Sequence, residues 1–268
     1  MRIGIAQLNS RSDKMENLAC AEKLIDQLAR QGAELIVLPE HFNFIGPENQ
    51  FQEMSEELEN SPSLERIRQK AIEHGIHIHS GTLLERSGNN LYNTGVVFNP
   101  AGETIARYRK IHLFDVEVPG GTKYLESANI TAGEEVVTFT IGSVTFGLST
   151  CYDLRFPELY RALAARGAQV ILVPAAFTMQ TGRDHWELLL RARAVENLCY
   201  IVAPNQYGSC PPKHLSFGRS MIIDPWGVVL TQAGDKVCTI TADIDMERLN
   251  RLRTTFPVLN HIRRDIFG

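Results

Sequence analysis

A cysteine, a lysine and two glutamates stand where α/β proteins tend to display reactive groups. Cys151 follows the strand-like run 144–150 and precedes a helix that opens at Pro157 and stops at Gly167. A thiol on such a turn faces outward, near the positive end of the helix dipole, which favours the nucleophilic thiolate. Taken alone, the residue reads equally well as a core filler. Glu40 follows Pro39 at the end of the apolar run 34–38, where strand ends gather sites. It could belong to a site there or be a solvated strand-end acid. Lys110 lies in the run Arg107-Tyr108-Arg109-Lys110-Ile111-His112, at the end of the first hairpin, where a basic run is usually a solvated sheet edge. Glu126, in Tyr124-Leu125-Glu126-Ser127, reads by itself as a loop acid. His112, His185 and His214 could each activate the thiol, and no spacing singles one out.

The elements that must bring these groups together alternate between strand and helix. Strand 2–8 leads to a helix over 13–31 with Leu18, Ala21, Leu24, Ile25 and Leu28 on one face. Strand 34–38, helix 63–74, strand 76–83 and a hairpin turning at Asn99-Pro100-Ala101-Gly102 follow. The second half repeats the order: strand 144–150, helix 157–166, an apolar strand ending at Pro174, helix 184–198, strand 199–205 and a hairpin turning at Asp224-Pro225-Trp226-Gly227. Gly32-Ala33 before the first apolar run matches Gly167-Ala168 before the second. Strands that are apolar throughout need cover on both faces. Two such halves therefore predict an α/β protein in the form of a four-layer αββα sandwich, with residues 1–268 as a single domain. The position equivalent to Glu40 in the second half holds Ala175, so the repeat alone does not demand the acid.

Composition narrows the function classes. The 268 residues are 44% hydrophobic and carry a formal net charge of −4, which argues against nucleic acid or an anionic membrane as partner. No apolar run is long enough to span a bilayer, and the N-terminus lacks the pattern of a signal peptide. The five cysteines have no metal-ligand spacing and fit free thiols in a reducing cytoplasm. Cys20, Cys199 and Cys238 read as core fillers, and Cys210, in a proline-rich loop, as exposed.

Three separated segments resemble the signatures of the nitrilase superfamily of carbon–nitrogen hydrolases. They are Leu38-Pro39-Glu40, Tyr108 to Phe114, and Cys151-Tyr152-Asp153-Leu154-Arg155-Phe156-Pro157-Glu158. The likeness extends over the chain, through His185-Trp186-Glu187, Arg191 to Asn197, and Ser220 to Gly227. Within the superfamily the sequence is most similar to the Nit1 branch, the deaminated-glutathione amidases. Phe114-Asp115-Val116 with Pro119-Gly120-Gly121, Ala175 to Thr178, and Thr181-Gly182-Arg183 carry that likeness, while the loop 207–217 matches poorly.

The resemblance implies a Glu40–Lys110–Cys151 triad, with Glu40 as general base and acid, Cys151 as nucleophile, and Lys110 on the oxyanion beside the Tyr152 backbone N–H. Glu126 would support Lys110 or the substrate. Burial is expected to raise the Glu40 pKa toward working pH. The implied reaction is hydrolysis of the terminal amide of a small linear substrate through a thioester, with no cofactor and no metal. Deaminated glutathione is the leading substrate. The alternatives are α-ketoglutaramate, an N-carbamoyl compound, a nitrile, or a silent scaffold. A substrate carboxylate would call on Arg155 or Arg183, although Arg155 could instead pair with Asp153 or Glu158. Family members commonly form dimers or larger homo-oligomers, and the apolar tail 255–267 could reach a partner subunit.

Overall fold

The two runs of alternating elements fold as two sheets of the same design. The computed structural model describes residues 1–118, 122–210 and 214–267. In chain order the strands of the first half are β1 (Arg2–Gln7), β2 (Leu35–Val37), β3 (His77–Ser87), β4 (Asn90–Phe98) and β5 (Thr104–Arg109). A hairpin of β6 (Asp115–Val118) and β7 (Thr122–Leu125) follows. The second half brings β8 (Thr138–Ile141), β9 (Val144–Leu148), β10 (Val170–Leu172), β11 (Tyr200–Ala203), β12 (Tyr207–Cys210), β13 (His214–Phe217), β14 (Met221–Ile223) and β15 (Val229–Gln232). The last strand is β16 (Cys238–Asp243).

The first sheet runs β16-β1-β2-β3-β4-β5 and the second β15-β14-β11-β10-β9-β8. Each has three parallel central strands, two antiparallel strands on one flank and one on the other. The sequence repeat is thus a repeat of topology. The strand β16, absent from the sequence reading, is the chain end returning to pair with β1.

Side-chain alternation assigns each face. Leu35 and Val37 of β2 point into a core shared with Leu148, Val170, Leu172 and Val202 of the second sheet. Ile36, between them, joins the core beneath helices α1 (Lys14–Arg30) and α2 (Pro62–His74). Helices α3 (Pro157–Ala165) and α4 (Glu187–Asn197) cover the second sheet with Leu159, Leu163 and Leu190. Helix, sheet, sheet, helix is the predicted four-layer order. Asp13 and Ser61 cap α1 and α2 by accepting from Glu16 N and Leu64 N, each cap contributing about 1 kcal/mol. A later helix, α5 (Met246–Thr255), is fastened by Arg253 to the Leu198 and Ala168 carbonyls.

Several local expectations change. The strand expected over 76–83 runs on to Ser87 and turns into β4 as a hairpin. The helix expected from 184 begins as a wide turn, Gly182–Trp186, before α4 proper. Cys210 is buried, its Sγ donating to Ile45 O, whereas Cys20 and Cys238 are only partly buried. Pro119-Gly120-Gly121, residues 211–213 of the poorly matching loop, and the side chain of His214 lie outside the described residues.

Candidate active site

The ends of both central sheets face one cavity of about 140 Å³. Glu40, on the turn after β2, Lys110, just past β5, and Cys151, just past β9, all line it, as does Glu126. Lys110 Nζ lies 3.1 Å from Glu40 Oε1, and 3.0 and 2.7 Å from the two Glu126 oxygens. Glu40 Oε2 accepts from the backbone N–H of Ala176 at 2.8 Å, and the Cys151 thiol donates to the Glu40 carboxylate. The repeat position next to Ala175 therefore supplies a donor to the acid of the other half.

Cys151 does not sit at the start of α3. It begins a separate 3-10 turn, Cys151–Arg155, with φ +47. Non-glycine residues rarely enter that region, and strain there clusters at functional sites. Asp153, fully buried, holds the turn. Its carboxylate accepts from Thr150 N at 2.8 Å, Tyr108 Oη at 2.7 Å, and His112 N and Nδ1 at 3.0 and 2.7 Å. Tyr108 and His112 flank Lys110 two residues away on either side, so one carboxylate ties the lysine-bearing segment to the cysteine turn. His112 is thereby committed to Asp153 and stacks on Phe156 at 3.7 Å. The ring of His185 meets Arg155 at 3.3 Å.

The electrostatics differ from the sequence expectation at two points. Burial pushes the Glu40 carboxyl up, but the Lys110 ammonium and the hydrogen bonds from Cys151 and Lys110 overcome it and hold Glu40 below the usual carboxylate range. Burial, then the Glu40 charge, push the Cys151 thiol well up, against a weaker pull from Lys110. The helix-dipole thiolate is thus replaced by a neutral thiol beside an ionised acid. Burial would strip Lys110 of its proton, yet Glu126 and Glu40 outweigh it and hold the ammonium well above the usual lysine range.

Four contributors escaped the sequence reading. Asn93, inside β4, donates to Glu40 Oε1 at 2.8 Å and to Glu126 Oε1 at 3.4 Å. An asparagine is disfavoured in a strand interior, and that was the available signal. Gln206, beyond β11, donates to the Glu40 and His41 carbonyls at 2.9 and 3.3 Å and clamps the Glu40 turn from the opposite sheet. His41 also lines the cavity. The fourth is Asp153, which the sequence offered only as a partner for Arg155.

The predicted arginines fall elsewhere. Neither Arg155 nor Arg183 lines the cavity. Arg155 backs the Phe177 and Tyr152 rings at 5.4 and 5.9 Å from their centroids, and Asp153 is taken by its own partners. Arg183 is exposed and pairs with Asp184 at 3.0 Å. Six aromatic side chains, Phe44, Phe51, Phe114, Tyr124, Tyr152 and Phe177, form part of the cavity wall beside aliphatic and polar neighbours. Such a wall with a few convergent polar groups suits a short, mostly uncharged arm of a ligand. A nucleophile, an acid on it and an ammonium beside both can perform acyl transfer.

Comparison with known proteins agrees with this chemistry. A carbon–nitrogen hydrolase family profile matches residues 2–254. The chain is 44% identical over 265 residues to a deaminated glutathione amidase of Synechocystis, covering 95% of each chain. It is 37% identical over 266 residues to the omega-amidase NIT2 of Mus musculus, covering 99% of this chain and 96% of that one. The crystal structure of Saccharomyces cerevisiae Nit3, a member of branch 10 of the nitrilase superfamily, superposes with a TM-score of 0.87 at 32% identity, covering 96% of this chain and 94% of that one.

Proposed function

This chain belongs to the carbon–nitrogen hydrolase family of the nitrilase superfamily, and we propose that it cleaves the terminal amide of a small linear substrate with Glu40, Lys110 and Cys151 as its triad. The convergence of those three side chains on one cavity supports the reading above all else. Glu40 takes the thiol proton as sulfur attacks the carbonyl carbon. Lys110 and the backbone N–H of Tyr152, early in its 3-10 turn and so without an intrahelical acceptor, receive the oxyanion. Removing one such donor typically costs about 3–4 kcal/mol of transition-state stabilisation. As the carbon–nitrogen bond breaks, Glu40 returns the proton to the leaving nitrogen, which departs as ammonia from a primary amide such as α-ketoglutaramate or as the amine of cysteinylglycine from deaminated glutathione. Water, deprotonated by Glu40, then hydrolyses the thioester. Glu126 holds Lys110 in place through both carboxylate oxygens.

The cavity is small beside the ~300–1,000 Å³ of whole-ligand pockets, so the amide enters end-on and the rest of the substrate lies outside. Deaminated glutathione would present the carbonyl of its 2-oxoacyl arm to Cys151, with cysteinylglycine as the leaving amine outside the cavity. The Synechocystis relative points the same way. The ω-amidase reading, with α-ketoglutaramate as substrate, is the second choice and draws on the mouse relative.

We further infer that residues 1–268 act as one domain, in the cytoplasm, as a homo-oligomer. The exposed Leu188, Val195, Trp226 and Phe256, with the Trp226 and Phe256 rings 5.6 Å apart, offer an apolar face to a second copy. Sedimentation showing only a 30.0 kDa species would remove the oligomer. The central test is product release by wild type and Cys151→Ala, read as cysteinylglycine from deaminated glutathione and as ammonia from α-ketoglutaramate. The variant should fold and release none; product at the wild-type rate would overturn the assignment.

A further inference from the structure

Resting on the amidase reading, we propose that His41 is a further catalytic residue, whose imidazole Nε2 accepts a hydrogen bond from the amide nitrogen of the substrate. That bond turns the nitrogen lone pair toward Glu40. Nothing in the triad chemistry accounts for His41, yet it follows Glu40 directly and lines the same cavity as Cys151. Its Nε2 lies 3.9 Å from Glu40 Oε1. The gap is too wide for a direct hydrogen bond, and it suits one small atom seated about 2.9 Å from each group.

The backbone is built to hold the ring there. His41 has φ +56, a strained conformation for a non-glycine residue. Two hydrogen bonds enforce it: His41 N donates to Thr82 Oγ1 at 3.0 Å, and Gln206 Nε2 donates to His41 O at 3.3 Å. Among the described residues no side chain hydrogen-bonds to the ring. Burial, with Lys110, outweighs Glu40 and Glu126 and lowers the His41 pKa, so the imidazole is neutral, and in the proposed tautomer, with the proton on Nδ1, the lone pair lies on Nε2.

The reaction needs such an acceptor. When the thiol attacks, the sulfur–carbon bond forms and the thiol proton moves to Glu40. The carbon–nitrogen bond breaks only as the nitrogen takes that proton, so its lone pair must face Glu40 and its N–H bonds must point elsewhere. Glu40 cannot take those hydrogens as well. Its two oxygens already accept from Lys110, Asn93, Ala176 and Cys151. A neutral imidazole at the wall supplies the missing acceptor.

The test compares butyramide with methyl butyrate, which give the same thioester but differ in leaving group. Acyl-enzyme formation is followed in a single turnover by intact-protein mass after acid quench. His41→Gly and His41→Asn are used because both residue types enter this backbone region readily, which keeps the turn intact. Acylation by the amide should slow about 10- to 100-fold in both variants. Acylation by the ester should change less than about threefold, because an ester oxygen has no hydrogen to give to Nε2. Equal slowing on both substrates would reduce His41 to a shaping role, and unchanged amide acylation would remove it altogether. A wild type that forms no acyl-enzyme from either would instead bring down the amidase reading, and this inference with it.

Discussion

Gly81→Ala should disable the enzyme without touching the cavity. Gly81 lies in β3 at φ +72, against the turn that carries Glu40. A Cβ there would stand 1.9 Å from Pro39 O and 2.9 Å from its carbonyl carbon. Reaching a tolerable contact takes about 1 Å of backbone movement, and the neighbour is main chain with no rotamer to change. Either side of the clash carries Glu40 with it. The Pro39 carbonyl belongs to the peptide bond that leads into Glu40. Thr82, next to Gly81, donates its N–H to Pro39 O, accepts His41 N on its hydroxyl and accepts Phe42 N on its carbonyl. A displacement of about 1 Å at reacting groups costs on the order of 100-fold in rate. The added left-handed strain costs about 1–2 kcal/mol and the overpacking about 1–3 kcal/mol. Both fit within a typical stability of about 5–15 kcal/mol, so a folded variant with a lower melting temperature is expected. Product release should give a kcat about 100-fold down. Gly142→Ala is the control, since Gly142 has φ +57 and nothing within 4 Å of the added Cβ; it should lose stability alone. Wild-type kcat in Gly81→Ala, or an equal loss in Gly142→Ala, would refute the reasoning.

Three other outcomes are expected. Glu126→Gln leaves Lys110 with Glu40 as its one charged partner, so the ammonium turns from the oxyanion site and kcat should fall about 100- to 1,000-fold with little change in melting temperature; steady-state kinetics giving less than a threefold loss would contradict this. Because Lys110 holds Glu40 below its ordinary value of 4.5, the ionised base persists into mild acid and the acid limb of kcat/KM should lie below pH 4.5. A carboxyl depressed in the fold also adds stability above its unfolded value and loses it as pH falls through the folded one. Lys110→Met removes the largest influence that opposes burial, so the acid limb of the residual activity should move upward; an unmoved limb in pH–rate profiles would sink that assignment. Asp153→Ala strips the acceptor from Thr150 N, Tyr108 Oη and the two His112 donors. Each buried donor left unpaired costs about 1–3 kcal/mol, so urea denaturation should show a loss of at least about 3 kcal/mol, and a change under 1 kcal/mol would show the network to be dispensable.

Much of the layered fold was legible because apolar alternation and Gly-Pro punctuation are local signals. Ile36 between Leu35 and Val37 already requires cover on both faces of β2. The return of β16 to β1 was not legible, since Cys238 to Asp243 is only partly buried and pairs with residues at the other end of the chain. At the site, residue types were readable and their protonation was not. The thiol's state depends on Glu40, and that of Glu40 on Lys110, which arrives from a distant strand end. Asp153 shows the same limit. Next to Arg155 in sequence it suggested a salt bridge, but the fold brings Tyr108 and His112 closer to it. The two arginines failed as pocket residues because a loop sequence does not reveal which way a long side chain leaves the backbone.

On the proposed mechanism, the resting charges explain why a neutral cysteine is paired with an ionised acid. Before attack the buried cluster holds two carboxylates and one ammonium, with the thiol neutral. After attack Glu40 is neutral, the substrate oxygen carries the negative charge, and Glu126 and Lys110 are unchanged. The excess of one negative charge is conserved; it moves from Glu40 to the oxyanion, while Lys110 stays beside both. A site that began with a free thiolate and a protonated acid would carry that charge on sulfur, where Lys110 competes with desolvation and loses. Creating or removing net charge in a buried site costs several kcal/mol per ion. Passing one charge between two neighbours of a fixed ammonium avoids that cost, so Glu126 is needed as well as Glu40: it keeps Lys110 in place and protonated while its other partner changes.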